Sequence, residues 1–334
     1  MKASRTVALV LILVTLTLVA GGAVAQGPPV KIGYIPSDSF AVLYLMADRY
    51  LTPDGINAQM VRLPGGAEIA AQVATGQLQV GGSGMGAAGF NAVAAKLPVE
   101  FVAPLHYGYL EDYFTVRKAA WGSQIKRIAD LRGRPVALNT RGAAVEWMLD
   151  QVLRRDGLTI KDVQVKIMPF PDMVPALESG AVDAGILTEP FPTLAEDKGV
   201  GVRPLVKPAG AKAIPITAAF WNAEWAKSNA DLAHKVMLGY VRAVRDLAVD
   251  GGRGWSEDRN VELMTKYAAT KRELVKKARP HVADANLELD PGTLDSMQKL
   301  NADLGYLKYT EFLSVDKLFT FTYRDRAVKE LGRR

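Results

Sequence analysis

Four short turns carry the residue types best suited to hold a small ligand. They are Pro36-Ser37-Asp38-Ser39-Phe40, Gly81-Gly82-Ser83-Gly84-Met85, Thr140-Arg141-Gly142-Ala143 and Thr188-Glu189-Pro190-Phe191. Each follows a short apolar run and precedes a helical pattern. At a helix start the first backbone N–H groups lack partners and the dipole is positive, so amides and nearby hydroxyls can hold an anion there. The same hydroxyls can instead cap the helix. Arg141 is the most informative single residue. A cation gains nothing from the positive end of a helix, so its guanidinium answers either a bound anion or a carboxylate such as Glu146. Asp38 and Glu189 suit a ligand amine or hydroxyl, or act as partners of the helix N-terminus. Phe40, Tyr107, Trp147 and Trp221 either wall a cleft or belong to the core. His106 closes an apolar run and either borders the cleft or is structural. The candidate ligand set is therefore Ser37, Asp38, Phe40, Gly82, Ser83, His106, Thr140, Arg141, Gly142, Thr188, Glu189 and Trp221.

Other chemistries are excluded or weak. The chain has no cysteine, so it has no disulfide, no thiolate metal site and no thiol nucleophile. Its three histidines, His106, His234 and His281, are too far apart in sequence to suggest a metal site. Gly81-Gly82-Ser83-Gly84-Met85-Gly86 has the wrong spacing for a dinucleotide fingerprint and lacks the acid about 20 residues on. No phosphate-loop motif occurs. Glu111 and Asp112 are adjacent, and on a strand they face opposite sides. The basic run Lys271-Arg272-Glu273-Leu274-Val275-Lys276-Lys277 reads as a solvated helix face.

The turns need elements to place them. Val30 to Ile35 reads as a strand, and Phe40 to Tyr50 as a helix stopped by Thr52-Pro53-Asp54-Gly55. Ile56, Ala58 and Met60 alternate with polar residues, a half-buried strand. Helix 67–75, strand 78–82, helix 85–95 and strand 99–106 follow, then a strand at 112–117. The alternation restarts at Pro135 to Asn139. Helical spacing of Val145, Met148, Leu149, Val152 and Leu153 comes next, then strands at 163–168 and 181–187. Repeated strand–helix–strand units predict an α/β fold with mostly parallel sheets flanked by helices. From about residue 223 the pattern is helical, with Leu232, Val236, Tyr240, Ala243, Val244 and Leu247 on one face. One internal echo stands out. Val73 to Gly81 matches Leu177 to Gly185 at a constant offset, each a helix end, a glycine suited to positive φ and a buried strand. The echo favours two similar lobes.

The length of 334 residues fits about two domains. With 49% hydrophobic and 23% charged residues, the chain can build packed cores. The net charge of +6 is small and dispersed, which argues against nucleic acid. Lys2 and Arg5, the apolar run Val7 to Ala20 and the small residues Ala23 and Ala25 form a signal-peptide pattern. No cysteine follows that run, so a lipid anchor is excluded, and a free exported protein is best retained in a periplasm.

In their order along the chain, several segments resemble the nitrate/sulfonate/taurine and thiamine-precursor solute-binding proteins of ABC importers. They are Lys31-Ile32-Gly33-Tyr34, Gly76-Gln77-Leu78-Gln79-Val80-Gly81-Gly82-Ser83, Asp130-Leu131-Arg132-Gly133-Arg134-Pro135-Val136-Ala137, Ala176-Leu177-Glu178-Ser179-Gly180-Ala181-Val182-Asp183-Ala184 and Thr188-Glu189-Pro190-Phe191. Leu304-Gly305-Tyr306-Leu307 to Leu331-Gly332 is similar too, so the likeness spans nearly all of residues 29–332. The resemblance implies a type II periplasmic binding fold, two α/β lobes with the ligand between them. The crossovers are expected near 115–119 and 213–219. That makes lobe 1 residues 29–115 and 220–334, and lobe 2 residues 116–219. It also implies a monomeric periplasmic protein that captures a small sulfonate, carboxylate or nitrate-like anion and delivers it to the permease and ATPase of an importer. No catalytic residue, metal or cofactor is implied, and no nucleic acid. The alternatives are a thiamine-precursor pyrimidine as ligand, or an exported enzyme on the same fold. The cysteine-rich iron segment of the thiamine-pyrimidine synthase branch is absent here.

The targeting pattern has a direct test. N-terminal sequencing of the exported protein is expected to begin at Gln26, and full-length chain held in the membrane fraction would contradict it.

Overall fold

The computed structural model describes residues 27–249, 253–268, 270–279 and 284–334. The targeting segment and His281 lie outside the described residues. Ten strands form two five-stranded sheets. The first sheet holds β1 (Val30–Tyr34), β2 (Ala58–Arg62), β3 (Val80–Gly84), β4 (Val99–Gly108) and β10 (Ile214–Asn222), in the order β2-β1-β3-β10-β4. The second holds β5 (Phe114–Arg117), β6 (Pro135–Leu138), β7 (Gln164–Ile167), β8 (Ala184–Ile186) and β9 (Gly201–Val202), in the order β7-β6-β8-β5-β9.

The two sheets follow one plan. β1 runs parallel to β2 and β3, and β6 runs parallel to β7 and β8. In each sheet one antiparallel strand, β10 or β5, is inserted beside the third parallel strand. The internal echo falls on β3 and β8, which occupy equivalent places. Gly76 and Gly180, ahead of them, have φ of +74° and +78°, the left-handed conformation that only glycine adopts without strain. The chain passes to the second sheet between Gly108 and Phe114 and returns between Val202 and Ile214. A helical turn at Leu110–Tyr113 replaces the start of the expected 112–117 strand, so β5 begins at Phe114.

Burial explains the strand choice. β3 and β8 are covered on both faces, as suits central parallel strands, whereas β2 at the sheet edge is half exposed. β4 ends the first sheet yet is almost wholly buried, because later helices cover it. The Ala230–Leu247 helix turns Val236, Tyr240, Ala243, Val244 and Leu247 inward, and the Tyr240 hydroxyl donates to Pro104 O at 2.7 Å. The expected helix from Phe40 is less regular: a short turn at Asp38–Phe40, an α-helix at Ala41–Leu45 and a π-helical stretch at Met46–Leu51.

Phe101 on β4 is 1% exposed and touches the rings of Phe90, Phe220 and Phe319. It thus ties β4 to β10, to the Ala87–Ala94 helix and to the C-terminal segment. Phe101→Ala is expected to cost about 3–5 kcal/mol, the range for deleting a buried ring, as read from denaturant unfolding. A loss under about 1 kcal/mol would show that this aromatic cluster does not hold the first sheet.

Candidate functional site

The C-terminal ends of β1, β3, β6 and β8 meet across a cleft of about 670 Å³, a volume that includes its open mouth. Ligands in open parallel sheets bind at these strand ends. The first sheet contributes Ser37, Ser39 and Phe40 after β1, Ser83 and Gly84 from β3, and Ile216 and Thr217 from β10. The second contributes Asn139 to Ala143 after β6, Phe170, and Thr188 after β8. Three helices also start at the cleft: Gly66–Ala74, Ala87–Ala94 and Ala144–Arg154. Their N-cap residues are Gly65, Gly86 and Ala143, which have no side-chain oxygen to cap with.

None of the hydroxyls in the four turns caps a helix. Ser37 stands at an N-cap position but makes no capping bond. Its Oγ, Thr188 Oγ1, Thr217 Oγ1 and Asn139 Oδ1 are buried without a hydrogen-bond partner among the described residues. All four residues line this one cleft. Buried polar groups are nearly always paired, and an unpaired one costs about 1–3 kcal/mol. Four such atoms converging on one space mark it as a place for a polar ligand.

Among the described residues, the only charged one in the lining is Arg141. Its guanidinium, about half exposed, donates to Glu146 Oε1 at 3.0 Å. Glu146 is buried and also accepts from Gly142 N at 2.7 Å and from the Tyr306 hydroxyl at 3.5 Å. Arg141 therefore has the carboxylate partner the sequence offered, Glu146, while also lining the cleft. Its charge is largely spent on that carboxylate, so hydroxyls and backbone amides are the groups left to receive a ligand.

Seven of the twelve candidates line the cleft: Ser37, Phe40, Ser83, Thr140, Arg141, Gly142 and Thr188. Five do not. Asp38 borders a separate small hollow beside Pro190 and Trp255, and its Oδ2 lies 3.6 Å from His106 Nε2. Burial, reinforced by the Glu189 carboxylate, pushes the Asp38 carboxyl well above the usual range. His106 is fully buried, with its Nε2 2.8 Å from the Tyr113 hydroxyl. Glu189 is bound by Arg203 at 2.6 Å and by the Thr193 hydroxyl at 2.9 Å; burial raises its carboxyl despite the opposing Arg203 charge. These three buried groups lie near one another outside the lining of the cleft. A Cβ on Gly82 would meet Leu105, Phe40 and Leu43, so its strand face is packed core. Trp221 lies at the far end of β10, where its indole N–H donates to Glu100 Oε2 at 3.0 Å and its ring meets Tyr323 edge-on. Tyr107 and Trp147 are also tied elsewhere, to Glu288 O and to Ser296 Oγ. Sequence reasoning missed Ser39, Asn139, Phe170 and Thr217. Asn139 left a signal, a polar residue closing an apolar strand.

The lobes touch by backbone at the cleft's edge. Ala87 N–H donates to Gly142 O at 2.7 Å, and Gly86 bridges Ala143 in antiparallel fashion.

Comparison with known proteins agrees with this architecture. A family model described as NMT1/THI5-like matches residues 39–249. Among solved structures, the alkanesulfonate-binding protein SsuA from Xanthomonas axonopodis pv. citri bound to MOPS is 18% identical, with 88% of this chain and 98% of that chain covered and a TM-score of 0.66. The periplasmic nitrate-binding protein NrtA from Synechocystis PCC 6803 is 15% identical, with 92% and 89% covered and a TM-score of 0.70. The desulfurization enzyme DSZB is 16% identical, with 91% and 99% covered and a TM-score of 0.60. At such identities the likeness establishes the fold, a two-lobed periplasmic-binding architecture shared by binders and by an enzyme. No curated protein matches the chain in sequence.

The backbone contact between lobes gives a test of closure. A Cβ at Gly86 would stand 2.1 Å from Gly142 O and 2.6 Å from Ala143 Cα, so Gly86→Ala forces the lobes apart. Overpacking of this kind costs about 1–3 kcal/mol, which lowers apparent ligand affinity by roughly 5- to 150-fold through the closed population. Small-angle scattering is expected to show a larger radius of gyration for the variant in saturating ligand. A profile and affinity equal to wild type would mean that closure does not use this contact.

Proposed function

Because the chain belongs to the NMT1/THI5-like family, we propose that it is an exported solute-binding protein that captures a small organic anion between its lobes. The observation that carries this reading is the convergence of four unpartnered buried polar atoms with three uncapped helix starts in one cleft. Among the described residues, no carboxylate, lysine or histidine lines that cleft. Arg141 is paired with Glu146, so the helix starts set the field of the cleft, and they favour negative charge. Hydroxyls and backbone amides then donate to the oxygens of a sulfonate or carboxylate, and Ile35, Phe40, Phe170 and Ile216 cover its apolar part.

A pyrimidine ligand is less well served. The carboxylates that would hold its amino group, Asp38 and Glu189, lie outside the lining of the cleft and are engaged there. Binding is favoured over catalysis because, among the described residues, the lining offers no side chain suited to take or give a proton near neutral pH. Each lobe is built on one sheet, with the boundaries between Gly108 and Phe114 and between Val202 and Ile214. Delivery is to the permease of an ABC importer, from the periplasm, by a monomer. The family resemblance, the targeting pattern and the similarity to periplasmic binding proteins support this part.

Native mass spectrometry of gently purified protein identifies what co-purifies, and a melting-shift panel of sulfonates, carboxylates and nitrate then ranks ligands. Thr188→Val removes a hydroxyl from the cleft at constant shape. If that hydroxyl donates to an anion, affinity falls by about 10- to 150-fold, the value of a hydrogen bond to a charged group, while the melting temperature without ligand stays the same or rises. The ligand is recovered unchanged after incubation. A shift with aminopyrimidines alone, or conversion of the ligand to product, would reject the anion-binder reading.

A further inference from the structure

Beside the cleft lies a second hollow of about 790 Å³, again including open solvent. It shares three walls with the cleft, Ile35, Asn139 and Phe170, so the two spaces adjoin across these residues. Asn139 Oδ1, one of the four unpartnered buried atoms, belongs to this shared wall.

The chemistry of the second hollow differs from that of the first. Pro36 and Pro64 wall it from the first lobe, and Pro169 and Pro171 from the second. Prolines present rigid apolar surface and no N–H donor, so these walls suit the body of a hydrocarbon chain or an aromatic ring. Arg62 stands in the same lining at the end of β2, an outer strand of its sheet, and is exposed. Among the described residues it makes no ion pair. The backbone beside it is fixed, since Leu63 N–H donates to Tyr34 O at 2.9 Å. The cleft thus offers hydroxyls and amides, and the adjoining hollow offers apolar walls and one cation.

We propose that this hollow is an outer subsite of the same binding site, and that the solute is an elongated organic dianion. Its inner acidic group sits among Ser37, Thr188 and Thr217, its apolar body passes Phe170 and the prolines, and its outer acidic group meets Arg62. This rests on the cleft being an anion site. The walls come from both lobes, so the subsite is complete only when the lobes are together. Arg62 selects ligands by length and by charge at the far end.

The test is calorimetric titration of the mature protein with benzenesulfonate and with 4-(carboxymethyl)benzenesulfonate, which adds a second acid across the ring. The dianion is expected to bind wild type about 2- to 5-fold more tightly at low salt, the upper part of the range for an exposed ion pair. Arg62→Ala should abolish that advantage and leave benzenesulfonate affinity in place, and Arg62→Lys should restore part of it. The advantage should also shrink as salt rises, which a merely structural role for Arg62 would not produce. Equal affinities for the two probes in wild type, or equal loss for both in Arg62→Ala, would overturn the subsite and leave the inner anion site standing. Failure of both probes to bind wild type at millimolar concentration would overturn the inner anion site and the subsite together.

Discussion

A single backbone contact between lobes, Ala87 N–H to Gly142 O beside the Gly86–Ala143 bridge, sets the geometry on which the rest of the site depends. It brings the starts of the Ala87–Ala94 and Ala144–Arg154 helices together without any side chain between them. Because backbone meets backbone, the spacing is set by a hydrogen bond and van der Waals contact of main-chain atoms and leaves no room for a Cβ at Gly86. The C-terminal region braces the same place. Tyr306 O accepts from the Asn91 side chain at 2.9 Å, its hydroxyl reaches Glu146, and Ser296 receives the Trp147 indole N–H. Elements of both lobes and of the C-terminal helices thus meet around one junction.

That junction explains the division between the cleft and its surroundings. Charged groups are satisfied around the cleft: Glu189 with Arg203, Asp183 with Arg117 and Arg134, Glu146 with Arg141. Neutral hydroxyls and one amide are left facing inward. Buried charges need partners far more than hydroxyls do, so pairing these three carboxylates locally leaves the ligand site neutral apart from the helix ends. Such a site is selective through geometry, because each donor has one direction in which to point.

Much of this was legible in the chain. The apolar runs ending in polar turns located β1, β3, β6 and β8, and the repeat from Val73 and Leu177 located equivalent strands in two sheets. The four turns do surround one cleft. What sequence did not disclose was direction. Ser37 and Asp38 are neighbours, yet the Ser37 hydroxyl belongs to the cleft while the Asp38 carboxyl reaches toward His106 outside it. A tight turn sends adjacent side chains to different places, and spacing alone does not say which. Thr217 was hidden for another reason. It sits within an apolar run on a strand that joins its sheet antiparallel, away from the strand-end rule that found the others. Trp221, on the same strand, shows the converse: a large aromatic near a predicted crossover is core when it lies at the wrong end.

The place of β10 has a consequence for how the chain comes to be folded. It pairs Ala218 with Ser83 on one side and with Pro104 on the other, so β3 and β4 stay apart until a strand made more than a hundred residues later arrives between them. The whole second sheet is synthesised in that interval. Pairings so distant along the chain form slowly, since a long loop must close before any contact rewards it. The first sheet is therefore incomplete for as long as the chain is short of Asn222. For a polypeptide proposed to cross a membrane before folding, this topology ties closure of the first sheet to a strand that is made only after the whole second sheet.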